Sequence, residues 1–384
     1  MSELLTVLLI LIQPVLWLGI LRNYIIYRKR LTKQRRDFNT SIYANNYEIK
    51  HFWLSFVVLG ILGSAISIVL GVYLPITWIV VYQLLLIINL VLIPGQFLNL
   101  ITFGIATVIT WLIYQVKFFN GINTLGINVQ PTNFANVLLL LTIVILLMSL
   151  YVRFVLGNYA NPQILKNQRG NKVAGYLTKE FAVLPLLVLI PGDQIQQVMH
   201  WWPVFGYGDH KFSLLILPVM LGMRITIFKS LPKDFFKKLA KKIAWIVVLG
   251  VILLGVTYYF KDVENIALYS IAGLIVLYII TVLMVKRSDS KQDTWFSDAV
   301  NGLRVISIRP DTPAEKMGVQ IGDLIVEVNN IKINSEDEFY KAILTSPTFC
   351  RLKVLNREDR IKIMESAIYS DSPNELGVVL IKEK

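Results

Sequence analysis

At 384 residues, with 55% hydrophobic and only 16% charged residues, the chain is too apolar for an ordinary soluble protein, in which about 25% of residues are charged. Its formal net charge of +13 would suit nucleic acid, but the basic residues cluster beside long apolar runs, where membrane topology accounts for them. One cysteine, Cys350, excludes an internal disulfide and a cysteine-built zinc cluster, and three histidines leave little room for histidine chemistry.

The apolar excess stops near residue 285. Before it, runs close to the ~20 residues a helix needs to cross the bilayer lie at 4–21, 52–73, 76–93, 97–116, 135–156, 181–199, 212–228, 243–260 and 265–285. All are expected to be helices, because lipid offers no partner to an open backbone. The first run has no basic residue ahead of it and no small-x-small site behind it, so it should stay in the membrane. The weakest is 181–199, whose apolar part stops at Ile190 and meets Pro191-Gly192-Asp193.

Charge placement tests that segment. Arg22, Arg28, Lys29, Arg30, Lys33, Arg35, Arg36 and Lys50 mark the first loop as cytoplasmic. Alternation then puts Lys166, Arg169, Lys172 and Lys179 on the same side. Lys229, Lys233, Lys237, Lys238, Lys241 and Lys242 join them only if 181–199 crosses. Nine crossings satisfy every loop and eight do not, although a re-entrant segment with a further half-helix would mimic nine. The pentapeptide at 91–95, Val-Leu-Ile-Pro-Gly, recurs at 188–192. It reads either as a trace of an inverted repeat or as coincidence within Leu/Ile/Val-rich spans. Arg153, Asp193 and Arg224 sit near span ends, where snorkelling explains them, and they receive no role.

Catalysis finds no foothold. None of His51, His200 and His210 precedes a Glu, and no two lie four residues apart, so no zinc-protease helix is present. Neither a Gly-x-Ser-x-Gly elbow nor a Gly-rich phosphate loop occurs. The expectation is no catalytic residue, no metal ligand, no cofactor and no enzymatic activity.

Residues 286–295 form a polar linker, and 296–384 read as a separate domain. Residues 302–308 alternate as a strand, and Pro310-Asp311-Thr312-Pro313-Ala314 leads into a short helix closed by Gly318. Gly322-Asp323 then turns into Leu324-Ile325-Val326-Glu327-Val328-Asn329. This series resembles the PDZ family, and the resemblance implies a small sheet with two helices that captures peptides. Residues 335–346 read as the groove helix, capped by Asn334 or Ser335, with Phe339 and Ile343 one turn apart. In PDZ domains a hydrophobic-Gly-hydrophobic loop receives the ligand's carboxylate, and the following strand accepts the peptide. Leu376-Gly377-Val378, followed by Val379-Leu380, matches that loop but ends the domain, which implies a circular permutant. Leu376, Val378 and Leu380 can equally be core positions of a closing strand, and Phe339 and Ile343 serve core and groove alike.

The fold class is therefore a polytopic α-helical membrane domain over 1–285 with a C-terminal, circularly permuted PDZ domain. This plan resembles the MinJ-type division-topology proteins of Gram-positive bacteria, through Gly302-Leu303-Arg304-Val305-Ile306, 310–318, Gly322-Asp323 and Glu375-Leu376-Gly377-Val378. The loop Trp201-Trp202-Pro203-Val204-Phe205 and the stretch 188–192 fit as well. The resemblance implies a membrane scaffold without a reaction of its own. Its partners would be DivIVA-like proteins, a Min-type ATPase and divisome membrane proteins, with no nucleic acid, and its place would be the septum and poles. Homo-oligomer formation stays open, and a transporter or a secretion or sporulation factor with a regulatory PDZ domain is the competing expectation.

Overall fold

The computed structural model describes residues 13–38, 40–92, 99–115, 133–166, 172–193, 203–207, 210–260, 265–291, 302–346, 348–356, 360–367 and 376–380. Residues 4–12 of the first expected span, 93–95 of the first pentapeptide copy, His200, Trp201, Trp202, residues 292–295 of the linker and Glu375 lie outside the described residues.

The membrane part contains helices α1 (Pro14–Phe38), α2 (Tyr47–Val69), α3 (Ile76–Leu92), α4 (Asn99–Gln115), α5 (Phe134–Phe154), α6 (Pro232–Tyr259) and α7 (Ile266–Lys291). Four of them, α2, α5, α6 and most of α7, are long and apolar enough to cross a membrane. Several helices run further than expected. The basic stretch after residue 21 continues α1 to Phe38, and the lysines from Lys233 to Lys242 form the first turns of α6. Lys, Arg, Gln and Leu are good helix formers, and no Gly or Pro interrupts either stretch. Helix α7 likewise continues through 286–291, where a linker was expected.

A larger correction concerns 181–199 and 212–228. Over 181–191 and 212–227 the chain is not helical: it forms β2 (Lys172–Pro191) and β4 (His210–Ile227), flanked by β1 (Pro162–Lys166) and β3 (Phe205–Tyr207) in the antiparallel order β1-β2-β4-β3, and 194–199 lie outside the described residues. The prolines explain this. Pro185 and Pro218 sit mid-run, where a helix would lose a hydrogen bond and meet a steric clash. In the hairpin they face each other in register. Both then occupy a pair that exchanges no ladder bonds, so their missing N–H groups fall on the outer edges.

Those outer edges are covered, as an open sheet in an apolar surround requires. On β2, Ser64 of α2 accepts from the Leu187 N–H and donates to the Pro185 carbonyl, both at 3.0 Å. Beyond it, Leu189 N–H bonds Val72 O at 2.8 Å and Leu74 N–H bonds Leu189 O at 2.9 Å. On β4, Gln13 donates to Ile216 O at 3.0 Å, and the Tyr82 hydroxyl bonds the Met220 backbone. Helix α2 comes this close because Gly60 and Gly63 face β2; a methyl group on either would meet Pro185 or Leu186 within 2.8 Å.

Strand β2 runs alongside α2 from His51–Glu180 (2.6 Å) at one end to Val72–Leu189 at the other, and β4 returns. The first of these ends gathers Arg30, Lys33, Lys179 and Arg224 and is called the basic end. There Arg30 is buried against Glu48 (Nη2 to Oε2, 3.0 Å), donates to Tyr43 O and Asn45 O, and lies 4.5 Å from the Tyr47 ring centre. Asp289 of α7 accepts from the Phe228 and Ser230 N–H groups at 3.1 and 2.9 Å, pinning the turn after β4.

The C-terminal domain comprises β5 (Leu303–Ile308), α8 (Pro313–Lys316), β6 (Leu324–Val328), β7 (Ile331–Lys332), α9 (Glu336–Leu344), β8 (Phe349–Leu355), β9 (Ile361–Ala367) and β10 (Val378–Leu380). The sheet order β10-β5-β6-β8-β9 sets the last strand beside the first, as expected of the permutant. Val305, Ile325, Val328, Phe339, Leu352 and Val354 fill its core. Asn329 and Asn330, both at positive φ, make the two-residue turn between β6 and β7.

The edge bonds of β2 are testable. Ser64→Ala orphans a buried donor and a buried acceptor, each costing about 1–3 kcal/mol. Denaturant titration of the detergent-solubilised protein should show that loss. Ser67→Ala, which removes a buried hydroxyl that meets no partner among the described residues, should leave stability unchanged or raise it.

Candidate peptide groove

The groove helix begins as its sequence suggests. Ser335 caps α9 by accepting from Glu338 N–H at 3.3 Å, and Glu338 reaches back to accept from Asn334 N–H at 2.7 Å. Asn334 Oδ1 in turn accepts from Gly302 N–H, fixing the helix start to the head of β5. The far end is held by Asn329, whose amide donates to Ala342 O while its Oδ1 accepts from Arg351 N–H, both at 2.9 Å. On the inner face Phe339 is buried in the core, and Ile343 packs at its margin, half-buried.

The loop before β10 is braced from one side. Ala314 N–H donates to Leu376 O at 3.0 Å and Arg309 N–H to Gly377 O at 2.8 Å. A trans peptide points its N–H opposite its carbonyl, and the chain has no cis peptide bond among the described residues. The N–H groups of Gly377 and Val378 are therefore both turned away from the 309–314 segment. Two successive N–H groups presented together form an anion-binding concavity, which suits a terminal carboxylate. Position 377 has to be glycine twice over: its φ is +87°, and a Cβ there would fall 2.2 Å from the Thr312 hydroxyl oxygen.

The seven residues singled out from the sequence separate by face. Leu376 and Leu380 are buried in the domain core with Phe339, while Val378 and Ile343 are half-buried at its margin. Gly377 supplies backbone. Val379 points the other way, as alternation along a strand dictates, and is buried in the core of the membrane part together with Ile306. The Tyr176 hydroxyl of β2 donates to Ile306 O at 2.9 Å, and Tyr43 lies beside Ser307. Sequence reasoning missed this seam between the domain and the basic end. A visible signal was the apolar outer face of a strand expected to meet water: Ile306 beside Val305.

Cys350 lies within β8, fully buried, and burial pushes its thiol up to about 11. Thiolate is the species that alkylates, so the raised value suppresses labelling at every pH below about 11. Iodoacetamide at pH 8 should leave the folded protein unmodified and label this single thiol only as the domain unfolds. Gly377→Val should speed that labelling at least ~10-fold, by strain of about 1–3 kcal/mol at the left-handed position added to the clash with Thr312.

Residues 304–356 match the PDZ domain family. Over 98% of its length the chain is similar to the cell division topological determinant MinJ of Bacillus subtilis, at 24% identity and covering 94% of that protein. A probable cell division topological determinant MinJ of Lacticaseibacillus paracasei is 22% identical, with 98% of each chain covered. A solved PDZ domain of an SdrC-like protein from Listeria monocytogenes is 22% identical; the match covers 22% of this chain and 90% of that one, with a TM-score of 0.19.

Proposed function

We propose that this chain, a homologue of the MinJ-type proteins along nearly its whole length and the bearer of a C-terminal PDZ domain, is a multi-pass membrane adaptor that recruits cytoplasmic division proteins. The basic end faces the cytoplasm on this reading, because Lys and Arg accumulate on the inner side of membrane proteins. The observation that carries the reading is the position of the PDZ domain. Through Ile306, Val379 and Tyr176 it is seated on that basic end.

The division of labour follows from the parts. Residues 1–291, to the end of α7, anchor, and 296–384 capture. The captured segment adds to β10, which ends the sheet. Its terminal carboxylate meets the N–H groups of Gly377 and Val378, and its side chains lie between Val378 and the Ile343 face of α9. DivIVA-like proteins, a Min-type ATPase and divisome membrane proteins are the partners proposed, at the septum and poles. The adaptor performs no reaction of its own. Tethering at the membrane raises the effective concentration of groove and partner, so a weak single contact is enough to recruit.

Val378→Asp tests the groove directly. It places a carboxylate where the ligand's own carboxylate must sit, so partner capture should fall roughly 10–100-fold through like-charge repulsion. Membrane insertion and the buried state of Cys350 should stay as in the wild type. In dividing cells the wild-type fluorescent fusion should gather at septa and the variant should spread along the membrane. Septal enrichment of a folded Val378→Asp protein would remove the groove from the mechanism.

A further inference from the structure

The C-terminal domain meets the membrane part through an apolar seam. Ile306 of β5 and Val379 of β10 are buried in the core of the membrane part, and Ile321 packs against the same core. The Tyr176 hydroxyl of β2 donates to Ile306 O at 2.9 Å, and both residues are fully buried. Tyr43 lies beside Ser307. It is fixed from the membrane side, because Arg30 donates to its carbonyl at 2.6 Å and its ring stands edge-on to Tyr159 at 5.1 Å. The domain is thus held in a seat built by the membrane part.

The two faces of β10 are committed to different neighbours. Val378 and Leu380 lie on the side of the domain core with Phe339 and Ile343 of α9, whereas Val379 points to the membrane part. A peptide held as proposed above, between β10 and α9, would lie on the face opposite the seat, so neither displaces the other. The strand has little else to hold it. It is three residues long, it pairs among the described residues with β5 alone, and its register slips between Val379 and Leu380. Burial of Val379 against the membrane part is therefore a large share of what keeps β10 extended.

We infer that the seat sets the peptide affinity of the groove, with Tyr176, acting through Ile306 and Val379, as a positioning residue for capture. The domain captures at full strength only while seated; this rests on the groove reading above. Order that one neighbour imposes on β10 is order the other need not supply. Linkage makes the effect reciprocal, so bound peptide holds the domain in its seat by the same factor. Residues of the C-terminal domain choose the ligand, and β2 of the membrane part sets how tightly it is held.

The test uses the full-length protein in phospholipid nanodiscs. Its probe is a decapeptide with a free carboxylate, selected from a random C-terminal display library on the wild type and kept only if Val378→Asp weakens it. Ile306→Asp places a charge in the seam and should weaken that decapeptide ~20-fold, with Cys350 still protected from iodoacetamide because the domain stays folded. Ile306→Cys reads the seat directly, since the introduced thiol alkylates only when the seam opens. Saturating decapeptide should slow that alkylation by the same ~20-fold. Adding Tyr176→Phe should quicken it ~5-fold, through loss of one buried hydrogen bond, and should weaken the decapeptide by less than Ile306→Asp does. Equal decapeptide affinity in a folded Ile306→Asp protein would overturn the coupling, and tighter binding there would mean that the seat blocks the groove. Should Ile306→Asp unfold the domain, as Cys350 labelling would show, the response of the Ile306→Cys thiol to decapeptide decides alone. The two readings fail differently. A library without any Val378-dependent peptide removes the groove and this inference together, whereas a Val378-dependent peptide that leaves the seam thiol unprotected removes the coupling only.

Discussion

Backbone hydrogen bonding inside an apolar bundle is the constraint on which the rest of this architecture depends. A two-stranded ribbon satisfies its backbone along only one edge of each strand, and the other edges must be closed by something other than water. Here Ser64, Gln13, Tyr82 and the 72–74 connection close them one group at a time. Pro185 and Pro218 reduce the demand by having no outward N–H to satisfy. The small residues of α2 follow from this, since only Gly60 and Gly63 allow Ser64 to reach the strand edge. The order of helices around the ribbon is thus set by which of them carries a polar group at the right height.

The same ribbon positions the basic end. Lys179 and Arg224 are ladder partners, and Glu180 holds His51 of α2. Tyr176, four residues before Glu180 along β2, reaches the backbone of Ile306. One continuous strand therefore contributes to the apolar core, to the polar cluster and to the seat of the C-terminal domain. Rotation of that domain away from its seat would expose Ile306 and Val379 and leave the Tyr176 hydroxyl without its acceptor, so the docked position is favoured by burial and hydrogen bonding together.

What could be read from the sequence was whatever depends on local pattern. The PDZ domain was legible because its turns require particular residues: Gly318 at the end of α8, Gly322-Asp323 before β6, Ser335 with Glu338 at the head of α9. β2 and β4 pair antiparallel along their length, so Lys179 and Arg224 come to one end of the hairpin. Their secondary structure was misread because hydrophobicity alone does not separate a strand buried on both faces from a helix. The mid-run prolines held the missing information. The face of each groove residue was legible only by alternation: Val378 and Leu380 against the domain core, Val379 against the membrane part.

Docking and capture meet on one three-residue strand. Val379 anchors β10 to the basic end, so the strand proposed to receive the ligand is also the one held against the membrane part. Peptide addition needs a strand already extended and in register, and ordering it in advance lowers the entropy lost on binding. A PDZ domain floating on a long tether would bear that cost at each encounter. Seated on the basic end, with the loop before β10 braced by Arg309 and Ala314, this one presents a pre-formed edge. For the adaptor proposed above, that arrangement would add affinity without any additional contact.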